Sequence, residues 1–170
     1  MREVPDIIAP NLKILFIGYN PGVRSAETGH HFAGYSNRFW KLLHHAGLTP
    51  YQLKPEEDQM ILQYGYGITN IVARPSRTAA EITQEEYAAG REILRQKLAA
   101  YLPAIACFAG IGIYKAFAGI KKPVCGLQAR SVVDAVTDFI VPSPSGLNRM
   151  IFAAQLSFYQ QLHKLAKAEV

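Results

Sequence analysis

The sequence LKILFIGYNPG occupies residues 12–22 and predicts a buried strand that ends in a sharp loop. Its apolar run is typical of a strand in a parallel sheet, and Gly18 and Pro21 then interrupt the pattern. Ligands of open α/β sheets bind just beyond the carboxyl ends of the strands. We therefore expect Asn20 to lie where chemistry takes place, although an Asn-Pro-Gly segment by itself is more often an ordinary turn.

Composition and length predict a globular protein with one domain over residues 1–170. The chain is 49% hydrophobic and 18% charged, and 170 residues are enough to bury a core without metals or disulfides. No apolar run approaches the roughly 18–20 residues that span a membrane, and the start of the chain lacks a secretory signal pattern. We therefore expect a cytoplasmic, nucleoid-associated protein that has no membrane partner.

Charge and cysteine content bear on partners and cofactors. The net charge of +5 and the pI of about 9.2 favour a polyanionic partner. Cys107 and Cys125 fit neither a disulfide framework nor a zinc or iron–sulfur site, because such sites need more cysteines at short, fixed spacings. The sequence thus predicts two reduced thiols and implies no metal and no cofactor.

Strand-like and helix-like patterns alternate along the chain, which predicts an α/β layer structure. Residues 23–35 show no apolar period, so we expect a long loop over the carboxyl edge of the sheet, with Ser36 capping the next helix. Thr83 and Glu86 form a capping box, and the helix after them carries an apolar stripe that includes Ile93. Strands are predicted over residues 12–17, 66–72, 104–109, 131–133 and 139–141, with a last helix from residue 152.

A second loop follows the last predicted strand and has the sequence PSPSGLNR at residues 142–149. Two prolines stiffen it, and small polar residues surround a single large apolar side chain, Leu147. No core explanation readily covers such a leucine, whereas DNA-binding proteins insert apolar wedges of this kind between base steps. Candidate phosphate contacts, which make DNA binding salt-dependent, are Arg74, Arg77, Lys121, Lys122 and Arg149.

Five short motifs carry a resemblance: GYNPG at residues 18–22, GHHF at 29–32, NRFW at 37–40, TNIV at 69–72 and PSGL at 144–147. In order and separation they resemble the motifs of the mismatch-specific uracil/thymine DNA glycosylases of the uracil-DNA glycosylase superfamily. The similarity covers about residues 8–163 and implies a three-layer α/β/α sandwich with a mainly parallel central sheet. It also implies a monomeric, monofunctional hydrolase of base excision repair that needs no metal. Its partner is then double-stranded DNA in which uracil or thymine is mispaired with guanine.

The resemblance also implies roles for individual residues. Asn20 positions the attacking water, and Phe32 stacks on a base that has flipped out of the duplex. Leu147 fills the gap that the flipped base leaves. The implied base pocket contains Gly18, Tyr19, His31, Phe32 and Asn70, and the implied DNA wedge with its opposite-strand contact contains Ser145, Gly146, Leu147, Asn148 and Arg149.

The chemistry of glycosidic hydrolysis suits these residue types. Cleavage leaves an oxocarbenium-like sugar and an anionic pyrimidine, so the backbone amides of Tyr19 and Asn20 suit the developing negative charge. Because a neutral amide orients water but is a poor base, we expect slow chemistry. Base flipping costs roughly a few kcal/mol and least at a mismatch, which by itself favours mispaired bases.

Several residues depart from the family pattern. Tyr19 stands where most relatives have a smaller aliphatic residue, which leaves the substrate range open. His30, His31 and Asn70 resemble the thymine-acting branch, whereas Gly146 and Leu147 resemble the bacterial uracil-acting branch, so the branch is undecided. Two other classes also stay open: a small-molecule nucleotide or phosphate hydrolase that uses the amides of residues 18–22 as an anion nest, and a DNA-binding module without activity.

Overall fold

The structure, a computed structural model, describes residues 1–168, in which the strands form one mainly parallel sheet. These strands are β1 Ile14–Gly18, β2 Tyr66–Asn70, β3 Ile105–Phe108, β4 Gly126–Leu127 and β5 Thr137–Ile140. Their spatial order is β2-β1-β3-β5-β4. Neighbouring strands are parallel except β4 and β5, which are antiparallel.

Helices cover both faces of this sheet. Phe16 of β1 and Phe108 of β3 occupy alternate register positions, so their side chains point to opposite faces. The Phe16 ring packs edge-on against Phe39 at a centroid distance of 5.1 Å, and the Phe108 ring packs on Tyr114 at 4.8 Å. Phe39 and Tyr114 belong to different helices, so three layers form, and the predicted fold class is confirmed. The helices are α1 Val23–Thr28, α2 Phe39–His45, α3 Gln84–Tyr101, α4 Ile111–Ala118 and α5 Phe152–Ala168, with 3₁₀ helices at Pro55–Tyr64 and Ala79–Glu81.

Strand order also fixes where a ligand can bind. After β1 the chain adds β2 on one side of it, then returns to place β3 on the other side. A crevice opens outside the carboxyl ends of the strands at such a switch point, and residues 19–22 lie there because they follow β1. In the part of the chain that the structure describes, no helix has the length and apolar character needed to cross a membrane.

The predicted loop over residues 23–35 is wrong for its first part, which forms α1. Ser25 and Ala26 are buried on this helix, and Gly29 ends it in the left-handed conformation at φ 76°. Six residues are too few to show a helical apolar period, which is why the sequence pattern missed α1. Ser36 does not cap α2: the Phe39 N–H donates to Asn37 Oδ1 instead.

The predicted strand at residues 131–133 is also wrong. The Val132 N–H donates to Asp138 Oδ2, and Ser131 Oγ donates to the Val133 carbonyl. These side-chain hydrogen bonds pair the Val132 N–H and the Val133 carbonyl, so neither group needs a neighbouring strand. The antiparallel edge strand is β4 instead, which pairs Leu127 with Phe139 of β5.

The prediction for α3 is confirmed at its start and partly wrong along its stripe. The Glu86 N–H donates to Thr83 Oγ1 and the Thr83 N–H donates to the Glu86 carboxylate, which completes the capping box. Leu94 and Leu98 are buried, but Ile93 is 57% exposed. The apolar stripe of α3 is therefore narrower than the spacing of its residues suggested.

Candidate active site

A cavity of about 520 Å³ lies at the carboxyl ends of β1 and β2. No Asp or Glu side chain lines it, whereas Arg24 and Arg77 do. Within residues 1–168, no three His, Cys, Asp or Glu side chains come together in a way that could hold a metal ion. Of the predicted site residues, the cavity brings together Gly18, Tyr19, Asn20, His31, Phe32, Asn70, Ser145, Leu147 and Asn148, while Gly146 and Arg149 lie outside its lining.

Asn20 is held in one orientation by the loop that follows β2. Its Nδ2 group donates to the Arg74 carbonyl and to Ser76 Oγ, both at 2.8 Å. A carbonyl only accepts, so the nitrogen and oxygen of the amide are assigned without ambiguity. Both N–H groups are therefore engaged, and Asn20 Oδ1 accepts no hydrogen bond from residues 1–168, which leaves it to accept one from a water.

Gly18 lets two site residues approach the end of β1. The sheet register sets Gly18 opposite Asn70. A Cβ added to Gly18 would lie 2.5 Å from Asn70 Oδ1 and 3.6 Å from Phe32 Cζ. Any larger residue at position 18 would therefore displace the Asn70 amide, which makes no side-chain hydrogen bond within the described chain and is free to bind a ligand.

The Phe32 ring forms an aromatic wall of the cavity. It stacks on Phe39 with centroids 4.0 Å apart and an interplanar angle of 18°. Its backbone is left-handed at φ 51°, a conformation that costs a residue with a Cβ roughly 1–2 kcal/mol. Packing against the fully buried Phe39 holds the ring in this place.

His31 is buried and anchored from several directions. Its Nε2 lies 2.8 Å from the Pro5 carbonyl, so this nitrogen carries the proton and Nδ1 is the acceptor of the neutral ring. Burial lowers the pKa of His31, although the Pro5 hydrogen bond opposes that shift. The His31 N–H donates to Asp58 Oδ2, and Asp58 Oδ1 lies 3.1 Å from His30 Nδ1. His31 is therefore a neutral group at pH 7 and no source of positive charge.

Tyr19 is accommodated by a glycine on a neighbouring helix. The Tyr19 hydroxyl packs against Gly112 of α4 in the space that a Cβ at that position would need. Its ring lies edge-on to Tyr87 of α3 at 6.5 Å, and burial raises the pKa of its hydroxyl. The Tyr19 carbonyl accepts from the Val72 N–H at 2.9 Å, so its backbone is fixed to the segment after β2.

The second loop is braced against the segment before α2. The Arg38 N–H donates to the Pro144 carbonyl at 2.8 Å, and Arg38 Nη1 donates to the Asn148 carbonyl at 3.2 Å. Asn148 Nδ2 donates to the Ser143 carbonyl at 2.9 Å. Leu147 stays 88% exposed at the tip of this fixed loop.

The predicted phosphate contacts do not all lie near the cavity. Arg74 is paired with Glu86 through two hydrogen bonds, and this pairing lowers the pKa of Glu86 to about 2. Lys121 and Lys122 follow α4, and like Arg149 they are not among the residues that line the cavity. Arg77 lines the cavity itself, which leaves it as a cation suited to a phosphate there.

Over most of its length, the chain matches a known protein family. A family model described as the uracil DNA glycosylase superfamily matches residues 5–166. The chain belongs to the uracil DNA glycosylase superfamily. A candidate uracil DNA glycosylase from Methanosarcina acetivorans, solved by solution NMR, is similar in structure with a TM-score of 0.63 at 19% identity, and the alignment covers 98% of each chain. That likeness shows a shared fold.

This match confirms the superfamily that the five motifs predicted, and it supports a DNA glycosylase, a hydrolase of DNA repair that acts on uracil, as the class of this protein. Two residues that support the cavity, Ser76 and Asp58, are absent from the sites that the sequence predicted. Ser76 Oγ accepts a hydrogen bond from the Asn20 side chain. Asp58 is buried beneath His30 and His31, and no local sequence signal distinguishes it from its exposed neighbour Glu56.

Proposed function

We propose that this chain is a monofunctional DNA glycosylase that hydrolyses the bond between deoxyribose and uracil, and more slowly thymine, opposite guanine in duplex DNA. The observation that carries the proposal is the fixed amide of Asn20, whose Oδ1 is the free polar atom at the end of β1. Phe32, Asn70 and Asn20 meet in one cavity, where an aromatic wall, an amide edge and a water-orienting group serve one flipped pyrimidine.

In the proposed reaction, Asn20 Oδ1 accepts a hydrogen bond from a water and directs its oxygen to C1′ of the sugar. The C1′–N1 bond breaks, and its electron pair leaves with the base as a pyrimidine anion. The water adds to C1′ and loses its proton to solvent. Backbone N–H groups of residues 19 and 20 suit the anion, because preorganised donors stabilise charge that develops in the transition state.

The lining of the cavity predicts a slow enzyme. A carboxylate would be a stronger base toward water, but Asp and Glu are absent from the lining. A base-binding cavity without carboxylates has a compensating benefit, since it does not repel the departing anion or the phosphates of the substrate. Arg24 and Arg77 at the same cavity add positive charge that favours a polyanion.

Recognition of the base rests on Asn70 and Phe32. The carboxamide of Asn70 offers one donor group and one acceptor, which complement the O4 acceptor and N3–H donor of uracil. Because Gly18 has no side chain, this edge of Asn70 stays accessible to the base. The Phe32 ring provides the stacking surface on the flat side of the base.

Access to the base rests on Leu147. Its exposed position on a braced loop at the rim of the cavity suits a wedge that occupies the space a flipped base vacates. Because a mismatched base is cheaper to extrude, the mechanism favours a pyrimidine opposite guanine. Ser145, Gly146, Asn148 and Arg149 surround the wedge, and in this proposal they contact the opposite strand.

A gel assay tests the proposal. The substrates are labelled oligonucleotides with one uracil opposite guanine, one uracil opposite adenine, one thymine opposite guanine and one uracil in a single strand, each scored for alkali-labile cleavage. We expect the fastest cleavage at uracil opposite guanine and a strongly reduced rate with the Asn20→Ala variant. Hydrolysis of free deoxyuridine nucleotides without DNA cleavage would instead indicate a small-molecule hydrolase, and binding without cleavage would indicate a DNA-binding module.

A further inference from the structure

Two highly exposed large side chains, Tyr35 and Leu147, belong to loops that border the cavity, because Gly34 and Leu147 line it. Tyr35 and Leu147 are each 88% exposed, the largest fraction among the exposed large hydrophobic residues of the described chain. The mechanism above uses Leu147 and assigns nothing to Tyr35. Exposed apolar side chains that cluster on one part of a surface, unlike singly scattered ones, mark an interaction site.

Each of these residues sits in a hydrogen-bonded four-residue turn. The turn at residues 34–37 is closed by the Asn37 N–H, which donates to the Gly34 carbonyl at 3.0 Å. The turn at residues 145–148 is closed in the same way by the Asn148 N–H and the Ser145 carbonyl, also at 3.0 Å. We call these two segments the paired turns.

The paired turns touch each other at their centres. Ser36 packs on Gly146 so closely that a Cβ on Gly146 would lie 2.5 Å from Ser36 Cβ. Tyr35 is adjacent to Ser36 in the chain, and Leu147 is adjacent to Gly146. Their Cα atoms are therefore at most roughly 13 Å apart. Successive phosphates of one strand lie about 3.4 Å apart along the axis, so both side chains reach the same short stretch of duplex.

Hydrogen bonds hold the paired turns as one unit. Arg38 bridges them, because its N–H donates to the Pro144 carbonyl and its Nη1 donates to the Asn148 carbonyl. Gly34, Asn37 and Asn148 all line the cavity, which places the unit at its mouth. The backbone positions from which the two exposed side chains project are therefore fixed before a ligand binds.

Arg24 defines which side of the Tyr35 ring is available. The Arg24 guanidinium lies over the ring with 3.9 Å between its Cζ and the ring centroid. This contact covers one face and, given the high exposure of the residue, leaves the other face to solvent. Arg24 also lines the cavity, so the ring and the cation form a stacked pair beside the mouth.

We propose that Tyr35 is a second DNA-contacting prong, whose free ring face stacks on a base next to the gap that Leu147 fills. The inference rests on the proposed function and adds to it a residue that recognises the distorted duplex. A nucleic-acid occupant is favoured because the neighbouring side chains Arg24, Arg38 and Arg149 are cationic and the chain carries a net charge of +5. Tyr35 holds the opened duplex in place and takes no part in bond cleavage.

Binding measurements test this role. The probe is a duplex with non-hydrolysable 2′-fluoro-deoxyuridine opposite guanine, and its dissociation constant is measured for wild type, Tyr35→Ala and Tyr35→Phe over a range of salt concentrations. Removing a base–aromatic stack is expected to weaken binding roughly 5- to 100-fold in Tyr35→Ala. Tyr35→Phe keeps the ring face and is expected to bind within twofold of wild type.

Val124→Ala provides the matched control, because Val124 is also highly exposed, at 72%, and lies outside the cavity. It is expected to bind as wild type does.

Three outcomes would overturn the inference. One is Tyr35→Ala binding within twofold of wild type, and another is an equal loss in Tyr35→Phe, which would assign the effect to the hydroxyl. The third is a fall of about one in the slope of log affinity against log salt for Tyr35→Ala, which would show that the ring only holds Arg24 on a phosphate. Wild-type excision of uracil from the same sequence is measured in parallel. If it is absent, the proposed function fails; if it is present, only the inference on Tyr35 fails.

Discussion

The side-chain nitrogen of Asn20 lies 2.8 Å from Ser76 Oγ, and Ser76 Oγ lies 2.7 Å from the Thr78 carbonyl. Ser76 thus accepts from Asn20 and donates onward, which fixes the direction of both hydrogen bonds. The Ser76 N–H also donates to the Pro21 carbonyl. The water-orienting group after β1 is therefore held by the loop after β2, which is 56 residues away in the chain.

Ser76→Ala removes one of the two anchors of the Asn20 amide. We expect the single-turnover rate of uracil excision to fall roughly 5- to 30-fold, or about 1–2 kcal/mol in the transition state, because the half-buried Asn20 amide then keeps only the Arg74 carbonyl as its anchor. Duplex affinity is expected to stay within twofold, since the Ser76 side chain is buried and already bonded to Asn20 and to the Thr78 carbonyl. A wild-type rate in Ser76→Ala would show that the Arg74 carbonyl alone is enough to hold Asn20.

Asn70→Ala removes the amide that we assign to the uracil edge. The loss leaves one hydrogen-bonding edge of the base unmatched and is expected to lower kcat/KM by roughly 5- to 100-fold, or about 1–3 kcal/mol in the transition state. The folded state is expected to keep its thermal stability, because the Asn70 side chain makes no hydrogen bond within residues 1–168. A decrease in rate of less than twofold would assign Asn70 to the scaffold.

Leu147→Ala shortens the proposed wedge. Excision is expected to slow roughly tenfold for uracil opposite guanine and further for the better-paired uracil opposite adenine, while the single-strand rate changes least. Met150→Ala is the control, because Met150 is an exposed apolar neighbour outside the cavity lining. Equal losses on duplex and single strand, together with a lower Tm, would show that Leu147 supports the fold.

Asp138 makes the stability of the fold depend on pH. Burial raises the pKa of this carboxyl to about 6, although hydrogen bonds from Tyr114 and the Val132 N–H oppose the shift. The folded state therefore binds the proton more tightly than the unfolded chain, so this group lowers the free energy of unfolding as pH rises from about 4 to 6, by about 2–3 kcal/mol in all.

Asp138→Asn removes this titration. Urea unfolding at pH 4 and pH 7.5 is expected to show that the stability of the variant, relative to wild type, improves by about 2–3 kcal/mol at the higher pH. Parallel pH profiles for the two proteins would mean that Asp138 does not titrate in this range.

The fold was predictable where a local pattern decides the structure. The apolar run at Ile14–Gly18 and the capping box at Thr83 each carry their own signal in a few residues. Residues 131–133 were misread because their backbone is satisfied by Asp138, a partner that no short window of sequence contains.

The site was predictable as a set of motifs but not as a network. Asn20, Phe32 and Asn70 stand in recognisable motifs, and the structure brings them to one cavity. Ser76 and Asp58 act through hydrogen bonds to residues 56 and 27 positions away. Such pairs depend on the sheet order β2-β1-β3, which the sequence pattern alone does not fix.

The central claim is that Asn20 orients the attacking water. Its most direct test is single-turnover excision of uracil opposite guanine by wild type, Asn20→Ala and Asn20→Asp, with duplex affinity measured for each variant. We predict that Asn20→Ala lowers the rate by roughly 100-fold or more, the scale of losing a positioned catalytic group, while affinity changes little. Asn20→Asp is expected to fold normally with altered activity, because a carboxylate activates water better but repels the departing anion. Full activity in Asn20→Ala would contradict the mechanism.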